Sequence, residues 1–187
     1  MLNLNNILKV LEKGSSEEKI KIIEELANTS DPQILKNMIL QFDDEDIKVR
    51  GEVFSSLILN QNEILDILIE NLSSPSKNIR GFVSLVLANR EEYASIPEIR
   101  KLVKDERSMV RACAIGALTF MKDKSSIEMI LEAVSDSNLE VQKSAIHAAI
   151  KMGFKISDKQ LEKIKTEDSE MVELISKIKT KSGPEGI

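Results

Sequence analysis

The sequence predicts an all-α protein, an α-α superhelix of stacked helical hairpins, on the basis of two observations. First, a short cassette of an aliphatic residue followed by a polar one recurs at separations of 30, 31 and 31 residues. Second, apolar residues follow each copy at helical spacing, and no segment alternates apolar and polar residues for long enough to predict a strand. A fixed period of this size is typical of repeat proteins, in which each unit buries its apolar face against its neighbours. The four copies are Val49-Arg50, Ile79-Arg80, Val110-Arg111 and Val141-Gln142.

Each cassette opens a helix, which we name helix A of its unit. The residues four and eight positions after the aliphatic residue are small or apolar, and this spacing places them on one face of a helix. In the most regular unit this face consists of Val110, Ala114 and Leu118, so we expect Leu118 to be buried between helices. The equivalent residues in the other units are Val49, Val53 and Leu57, then Ile79, Val83 and Leu87, then Val141, Ala145 and Ala149.

A second apolar pattern follows each helix A and predicts a helix B. Its stripe consists of apolar, mostly aliphatic residues at helical spacing. The stripes are Ile64, Leu65, Leu68, Ile69 and Leu72, then Ile96, Ile99, Leu102 and Val103, then Ile127, Ile130, Leu131 and Val134. Each unit therefore reads helix A, turn, helix B, turn.

The period divides residues 1–181 into one domain of about five hairpins with a cap helix at each end. The terminal units are less regular, as expected where one face of a repeat array meets water. In the first unit, for example, Glu18 takes the position of the aliphatic residue. The units span about 15–42, 43–73, 74–104, 105–135 and 136–166, residues 3–13 and 167–181 form the caps, and 182–187 are expected to form a flexible tail.

The turns contain helix-capping signals. Asp31-Pro32 predicts an N-cap followed by proline at the first helical position. A serine followed three residues later by Glu or Gln has the spacing of a capping box, in which each side chain bonds the backbone N–H of the other residue. The pairs with this spacing are Ser15 with Glu18, Ser95 with Glu98, Ser125 with Glu128 and Ser157 with Gln160.

The unit resembles a HEAT-like repeat of the short type named after phycobilisome lyases. The residues that carry the resemblance are Asp105, the run from Val110-Arg111 to Ala117-Leu118, Asp123 and Ile127. Ser74 stands where the pattern has an acid, and Gln142 where it has an arginine. The resemblance covers about residues 15–178. It implies a right-handed solenoid whose B helices line the concave surface, the usual partner groove, although a fold alone does not define a function.

Charge and aromatic content argue against a nucleic-acid partner. The chain has 26 basic and 31 acidic residues, a net charge of −5, no tryptophan and one tyrosine. Residues 1–72 carry most of the acidic excess. Nucleic-acid-binding proteins normally present a basic face and aromatic side chains on which bases stack. The acidic half of the chain either attracts a basic partner or keeps the protein soluble.

The sequence favours a cytoplasmic location. A single cysteine permits no intramolecular disulfide, which fits a reducing compartment. The N-terminus lacks the basic start and unbroken apolar run of a secretory signal. No apolar stretch approaches the roughly 20 residues that span a bilayer. We therefore expect no membrane partner, and either a monomer or a weak end-to-end oligomer.

Arg50, Arg80 and Arg111 form a column that could be read as a phosphate-binding site. A structural role is the favoured interpretation, because Asp44 and Asp105 lie six residues before two of these arginines, in the preceding turn. Such pairs can brace the turn and extend as a ladder from repeat to repeat. The resemblance supports this interpretation, since these positions are structural in HEAT-like repeats.

A second column of charged residues lies on the B helices. It repeats every 31 residues, falls off the apolar stripe and is expected to face solvent. The signs alternate, so neighbouring members could pair, each contact contributing roughly 0.2–1 kcal/mol. With Asp66 beside it, this column marks the predicted partner-binding face, which suits a mixed-charge protein segment; the alternative is an ordinary solvated face. The members are Glu70, Lys101, Glu132 and Lys163.

Other candidate sites have simpler interpretations. The run Asp43–Asp46 lacks the glycine and distal glutamate of a calcium loop, and we expect it to cap a helix A. His147 is the only histidine, so a metal site there would need several other ligands. Cys113 is expected to be a small buried side chain rather than a nucleophile. We predict no metal and no cofactor.

These observations favour a non-catalytic scaffold or adaptor that binds another protein, because a regular solenoid offers a long surface and no catalytic constellation is recognisable. Two alternatives stay open. The resemblance extends to bilin lyases, so the first alternative is a lyase-like or other ligand-handling enzyme subunit. The iron hydroxylases of this repeat type need paired His-Glu motifs, which this chain lacks. A nucleic-acid-binding protein similar to HEAT-like alkylpurine glycosylases is the less favoured alternative.

Overall fold

A computed structural model describes residues 3–161, 164 and 168–181, with side chains described as far as residue 176. Within these ranges the chain is all-α, as predicted, and contains no strand. The helices are α1 (Leu4–Lys13), α2 (Ser16–Glu25), α3 (Pro32–Leu40), α4 (Ile47–Leu59), α5 (Leu65–Asn71), α6 (Lys77–Asn89), α7 (Ile96–Leu102), α8 (Ser108–Phe120), α9 (Ile127–Ala133), α10 (Leu139–Met152), α11 (Asp158–Leu161) and α12 (Ser169–Lys181). Three 3₁₀ segments lie at Gln41–Asp43, Tyr93–Ser95 and Lys124–Ser126.

The even-numbered helices are the A helices, and α3, α5, α7, α9 and α11 are the B helices. Each A helix contacts the next one along the chain, so that α2 to α12 form one continuous row. The central B helices pack against the A helix that follows them, α5 on α6, α7 on α8 and α9 on α10. Both helices of a unit therefore hold it to the next unit, and the predicted solenoid architecture is confirmed.

One apolar core runs along the whole stack, from Ile7 in α1 to Leu174 in α12. The three positions of each A-helix stripe are buried in all four regular units, with at most 2% of any of these residues exposed. In α8 they are Val110, Ala114 and Leu118, none of which has exposed surface. Since each unit buries its stripe against neighbours on both sides, the core is shared between units rather than enclosed in one centre. Among the described helices, none has both the length and the apolar character that a membrane span requires.

Two of the predicted helix starts have the expected caps. The Asp31 side chain accepts hydrogen bonds from the N–H groups of Gln33 and Ile34, with Pro32 in the first turn of α3. Ser15 and Glu18 form the complete capping box of α2. Both motifs satisfy N–H groups that the helix itself leaves unpaired.

The predicted capping boxes at Ser95 and Ser125 are wrong. A 3₁₀ segment runs directly into α7 and into α9, so these serines do not have the extended backbone that an N-cap needs. Ser95 instead donates its hydroxyl to the Glu92 carbonyl at 2.7 Å. At Ser157 half of the box forms, because Gln160 Oε1 accepts from the Ser157 N–H at 3.0 Å.

Candidate functional site

A periodic row of polar contacts, which we name the ladder, joins the starts of consecutive A helices. One rung joins Arg80 in α6 to Asp105 in the turn before α8. Arg80 Nε and Nη2 donate to the two carboxylate oxygens at 2.8 and 2.9 Å. Arg80 Nη1 donates in the other direction, to the carbonyls of Ser74 and Pro75 at 2.8 and 3.1 Å. The guanidinium thus links the turn of its own unit to the next unit.

Arg111 repeats this arrangement one unit later. Its Nε and Nη2 donate to the Asp136 carboxylate at 2.8 and 2.7 Å, and its Nη1 donates to the Asp105 and Glu106 carbonyls. The acid six residues upstream therefore contributes a backbone carbonyl rather than its carboxylate, contrary to the pairing expected from sequence. The reason is geometric: Nη1 lies against the carbonyls of its own turn, which leaves the Nε–Nη2 edge facing the following unit.

The first rung uses a lysine. Lys19 in α2 pairs with Asp44 at 2.6 Å, and both side chains are mostly buried. Sequence reasoning missed Lys19, although a signal was present: Lys19 and Asp44 are 25 residues apart, the same separation as Arg80 and Asp105.

In the last rung, two consecutive residues share the two contacts that one arginine makes in the rungs before it, the contact with its own turn and the contact with the next unit. Gln142 Nε2 donates to the Asp136 carbonyl at 2.6 Å, and Lys143 Nζ pairs with Asp168 at 3.2 Å and Glu170 at 2.8 Å. The departure of Gln142 from the repeat pattern is therefore compensated by the next residue. Lys143 was also missed, and its separation of 25 residues from Asp168 is the signal that identifies it.

The ladder is open at one step, between α4 and α6. Arg50 Nη1 donates to the Asp44 and Glu45 carbonyls at 2.6 and 3.1 Å, as its equivalents do. Ser74 stands where the next unit would supply a carboxylate. Within the described residues, no hydrogen-bond acceptor or ion-pair partner is found for Arg50 Nε or Nη2.

The closed rungs stabilise the charged forms of their members. Burial alone would raise the pKa of the Asp105 carboxyl, but hydrogen bonds from Arg80 and from the Arg107 N–H outweigh it and hold that pKa below its usual value. Asp136 behaves in the same way, with Arg111 as its main partner. Hydrogen bonding to these carboxylates raises the pKa of Arg80 and Arg111. Because all three guanidinium nitrogens of Arg80 and Arg111 are engaged, these two arginines offer no free edge to a phosphate.

Further contacts between units were not predicted. Asn60 and Arg90 occupy equivalent positions and both donate back to the preceding unit, Asn60 to the Ala27 carbonyl at 2.9 Å and Arg90 to the Leu57 carbonyl at 3.0 Å. Arg100 in α7 pairs with Asp123 at 2.6 Å. These side chains differ in type from unit to unit, so the period alone does not reveal them.

The B-helix column lies on the surface, as its position off the apolar stripe indicates. Glu70, Lys101 and Glu132 each expose more than 65% of the side chain. Lys163 lies outside the described residues. Asp66 is also exposed, one helical turn before Glu70.

The described column members do not pair with one another, contrary to the possibility raised from sequence. Glu70 lies 3.6 Å from Lys36 of the preceding B helix, Lys101 pairs with Glu98 of its own helix, and Glu132 lies 3.6 Å from Lys104. The contacts of Glu70 and Glu132 do cross between units, but their basic partners, Lys36 and Lys104, are not members of the column.

The remaining candidates have structural environments. Asp46 caps α4 by accepting from the Lys48 N–H at 2.8 Å. His147 is exposed, with Nε2 3.9 Å from Glu170. Burial raises the pKa of the Cys113 thiol to about 11, which disfavours the nucleophilic thiolate. A search of the described residues finds no group of three side chains able to hold a metal ion.

A shared core and a polar ladder that repeats with the apolar stripe define this chain as an α-helical repeat protein. Residues 65–150, a little under half of the chain, match the family model described as HEAT repeats. This match and the solenoid fold confirm the resemblance to HEAT-like repeats seen in the sequence.

Solved structures of other proteins have the same fold. A protein studied for TOG–tubulin binding specificity in microtubule dynamics and mitotic spindle formation superposes with a TM-score of 0.55 at 16% identity, over 94% of this chain and 82% of that one. An engineered protein superposes with a TM-score of 0.55 at 16% identity, over 98% of this chain and all of the other. At such identities these similarities establish the fold alone.

A curated relative is more similar in sequence. ATP synthase subunit delta of Campylobacter lari is 29% identical over 114 residues, which are 60% of this chain and 61% of that protein. The chain thus matches about three fifths of the length of this relative.

Proposed function

We propose that this protein is a non-catalytic scaffold or adaptor that binds another protein in the cytoplasm through its B-helix face. The observation that carries the proposal is the unbroken stack of HEAT-like units, whose helices share one core from α1 to α12. Such a stack presents long continuous surfaces and suits extended protein segments. The similarity to a protein named as a subunit of a larger assembly fits this role.

The charge pattern of the B face supports a mixed-charge partner. The described markers Glu70, Lys101 and Glu132 form only exposed ion pairs, and such pairs contribute about 0–1 kcal/mol each. A partner can therefore replace these contacts with its own charges at little cost. Alternating sign along the face favours a segment that alternates in the same way and disfavours a uniformly charged ligand.

The test is an affinity pull-down from lysate of the source cell, with bound proteins identified by mass spectrometry. The B-face variant changes Glu70, Lys101, Glu132 and Lys163 to Ala. The proposal expects a specific protein captured by the wild type and lost with this variant. No specific capture by the wild type would contradict protein binding.

A matched control variant distinguishes a loss of binding caused by changes on the B-helix face from a general effect of removing surface charges. The control variant replaces two exposed acidic and two exposed basic side chains, and both variants keep the net charge of −5. Its residues lie on and beside the A helices: Glu45, Lys48, Glu106 and Lys151, each changed to Ala. Loss of the partner with the control but not with the B-face variant would move the contact to the A-helix side.

A further inference from the structure

An apolar surface pocket of about 360 Å³ lies between α4 and α6, at the open step of the ladder. Phe82 forms one wall and is held in place by stacking on the fully buried Phe42, with ring centroids 5.2 Å apart. At the edge, Ile47 is 72% exposed. The lining residues are Ile47, Arg50, Gly51, Phe54, Phe82 and Leu85.

Among these described lining residues, Arg50 alone carries a charge. Its Nη1 donates to backbone carbonyls, whereas its Nε–Nη2 edge has no hydrogen-bond or ion-pair partner among the described residues; the Asp46 carboxylate interacts with Arg50 only electrostatically. In Arg80 the same edge holds the Asp105 carboxylate with two bonds, and in Arg111 it holds Asp136. Among the described residues, the ladder thus contains two arginine forks that hold a carboxylate and a third that is open beside an apolar pocket.

Ser74 takes the position in the turn before α6 that Asp105 takes in the turn before α8, so this is the position that leaves the Arg50 fork open. Ser74 Oγ accepts from the Ser76 N–H at 3.2 Å, just as Asp105 Oδ1 accepts from the Arg107 N–H at 2.8 Å. The two side chains therefore leave the turn in the same way. Ser74 is one group shorter and uncharged, so it does not supply the second carboxylate oxygen to Arg50.

Two of the acidic residues before α4, Asp43 and Asp44, are engaged elsewhere, and Asp46 caps α4. Asp44 pairs with Lys19 at 2.6 Å, on the side facing α2. Asp43 accepts from Ser76 Oγ and Asn78 Nδ2, at 2.6 and 3.0 Å. This contact ties the start of α6 to the preceding unit where the ladder rung is missing.

We propose that the pocket and Arg50 together bind a protein segment that presents a carboxylate next to a large apolar side chain. The carboxylate takes the place that Asp105 takes on Arg80, and the apolar side chain enters the pocket lined by Phe54 and Phe82. Bidentate guanidinium–carboxylate contact supplies orientation, and burial of the apolar group supplies affinity. The inference rests on the proposed protein-binding role in taking the ligand to be a protein segment, but it concerns a different face of the molecule.

The test uses a random peptide library displayed on phage, selected on the wild-type protein and measured against three variants. Ser74→Asp should place a carboxylate on Arg50 and fill the fork from within. Arg50→Gln removes the fork. Ser73→Asp is the matched control, because it adds the same charge at the exposed neighbouring position. Circular dichroism melts establish that each variant is folded.

The proposal expects enriched peptides with Asp or Glu within a few residues of a large apolar residue. These peptides should bind Ser74→Asp and Arg50→Gln at least about tenfold more weakly, with Ser73→Asp close to wild type. Ser74→Asp should melt at or above the wild-type temperature, since it completes a rung. No enrichment, enrichment without acidic residues, or equal binding by Ser74→Asp would overturn the proposal. Because the selection needs no natural partner, its failure is independent of the pull-down result.

Discussion

Arg80 and Asp105, which lie 25 residues apart in consecutive units, form a bidentate ion pair with both side chains about nine tenths buried. The pair fixes α6 relative to the turn before α8, while the third nitrogen of Arg80 holds its own turn. In a repeat protein, neighbouring units are held together only through such local interfaces. The ladder is therefore expected to contribute to stability at every step where it is closed.

Asp105→Asn tests the contribution of a closed rung. The amide keeps the size of the carboxylate but leaves the largely buried Arg80 charge without its counter-charge. We expect the free energy of unfolding to fall by roughly 2–4 kcal/mol, between the values for exposed and fully buried pairs. Urea denaturation followed by circular dichroism measures the change. Glu106→Gln, at a side chain that is 76% exposed, is the control and should change stability by less than about 0.5 kcal/mol.

The ladder also predicts how stability depends on pH. The folded-state pKa values of Asp105 and Asp136 lie below their usual value, because the arginine and backbone hydrogen bonds outweigh the opposing effect of burial. Their stabilising contribution is therefore complete above the unfolded-state pKa of about 3.9 and is lost as the pH falls through the lower folded-state pKa. Thermal melts between pH 7 and pH 2 should show a smaller acid-induced decrease in an Asp105→Asn, Asp136→Asn double variant. An unchanged decrease would mean that other carboxylates control acid unfolding.

Leu118→Ala tests the core of the most regular unit. Leu118 is fully buried in α8, so the truncation removes apolar contacts and leaves a cavity. We expect a loss of roughly 2–5 kcal/mol in the free energy of unfolding. Leu59→Ala is the matched control, since Leu59 at the end of α4 is 70% exposed, and it should cost less than about 0.5 kcal/mol. Equal effects of the two substitutions would contradict the packing described for α8.

Gly116→Ala should stabilise the protein. Gly116 lies inside α8, and an added Cβ would meet only the Leu85 Cδ2 atom, at an ordinary contact distance of 3.8 Å. Alanine is favoured over glycine in a helix by about 0.8–1.0 kcal/mol, so the melting temperature should rise. Gly153→Ala should have the opposite effect, because Gly153 ends α10 with a φ of 75°, in the left-handed region that disfavours a Cβ. Differential scanning calorimetry of both variants checks the two signs together.

The amino-acid pattern was sufficient to establish the architecture of this protein. The cassette from Val110-Arg111 to Leu118 recurs with a period near 31, and helix formation and burial at such positions depend on spacings of three and four residues that can be read along the chain. Capping was predictable only where it depends on residues within one helical turn, as at Ser15. At Ser95 the preceding 3₁₀ segment holds the backbone in a helical conformation, so the side chain does not cap α7.

The polar contacts between units needed the packing of the helices in three dimensions. Asp105 lies six residues before Arg111 and 25 residues after Arg80, and the sequence is compatible with either pairing. The orientation of each guanidinium, with one nitrogen on its own turn and one edge toward the next unit, selects the second. The absence of an acid at Ser74 was visible in the sequence. Its consequence, an open carboxylate-binding edge of Arg50 beside an apolar pocket, arises from the way α4 and α6 pack, because a pocket depends on distances between residues that are far apart in the chain.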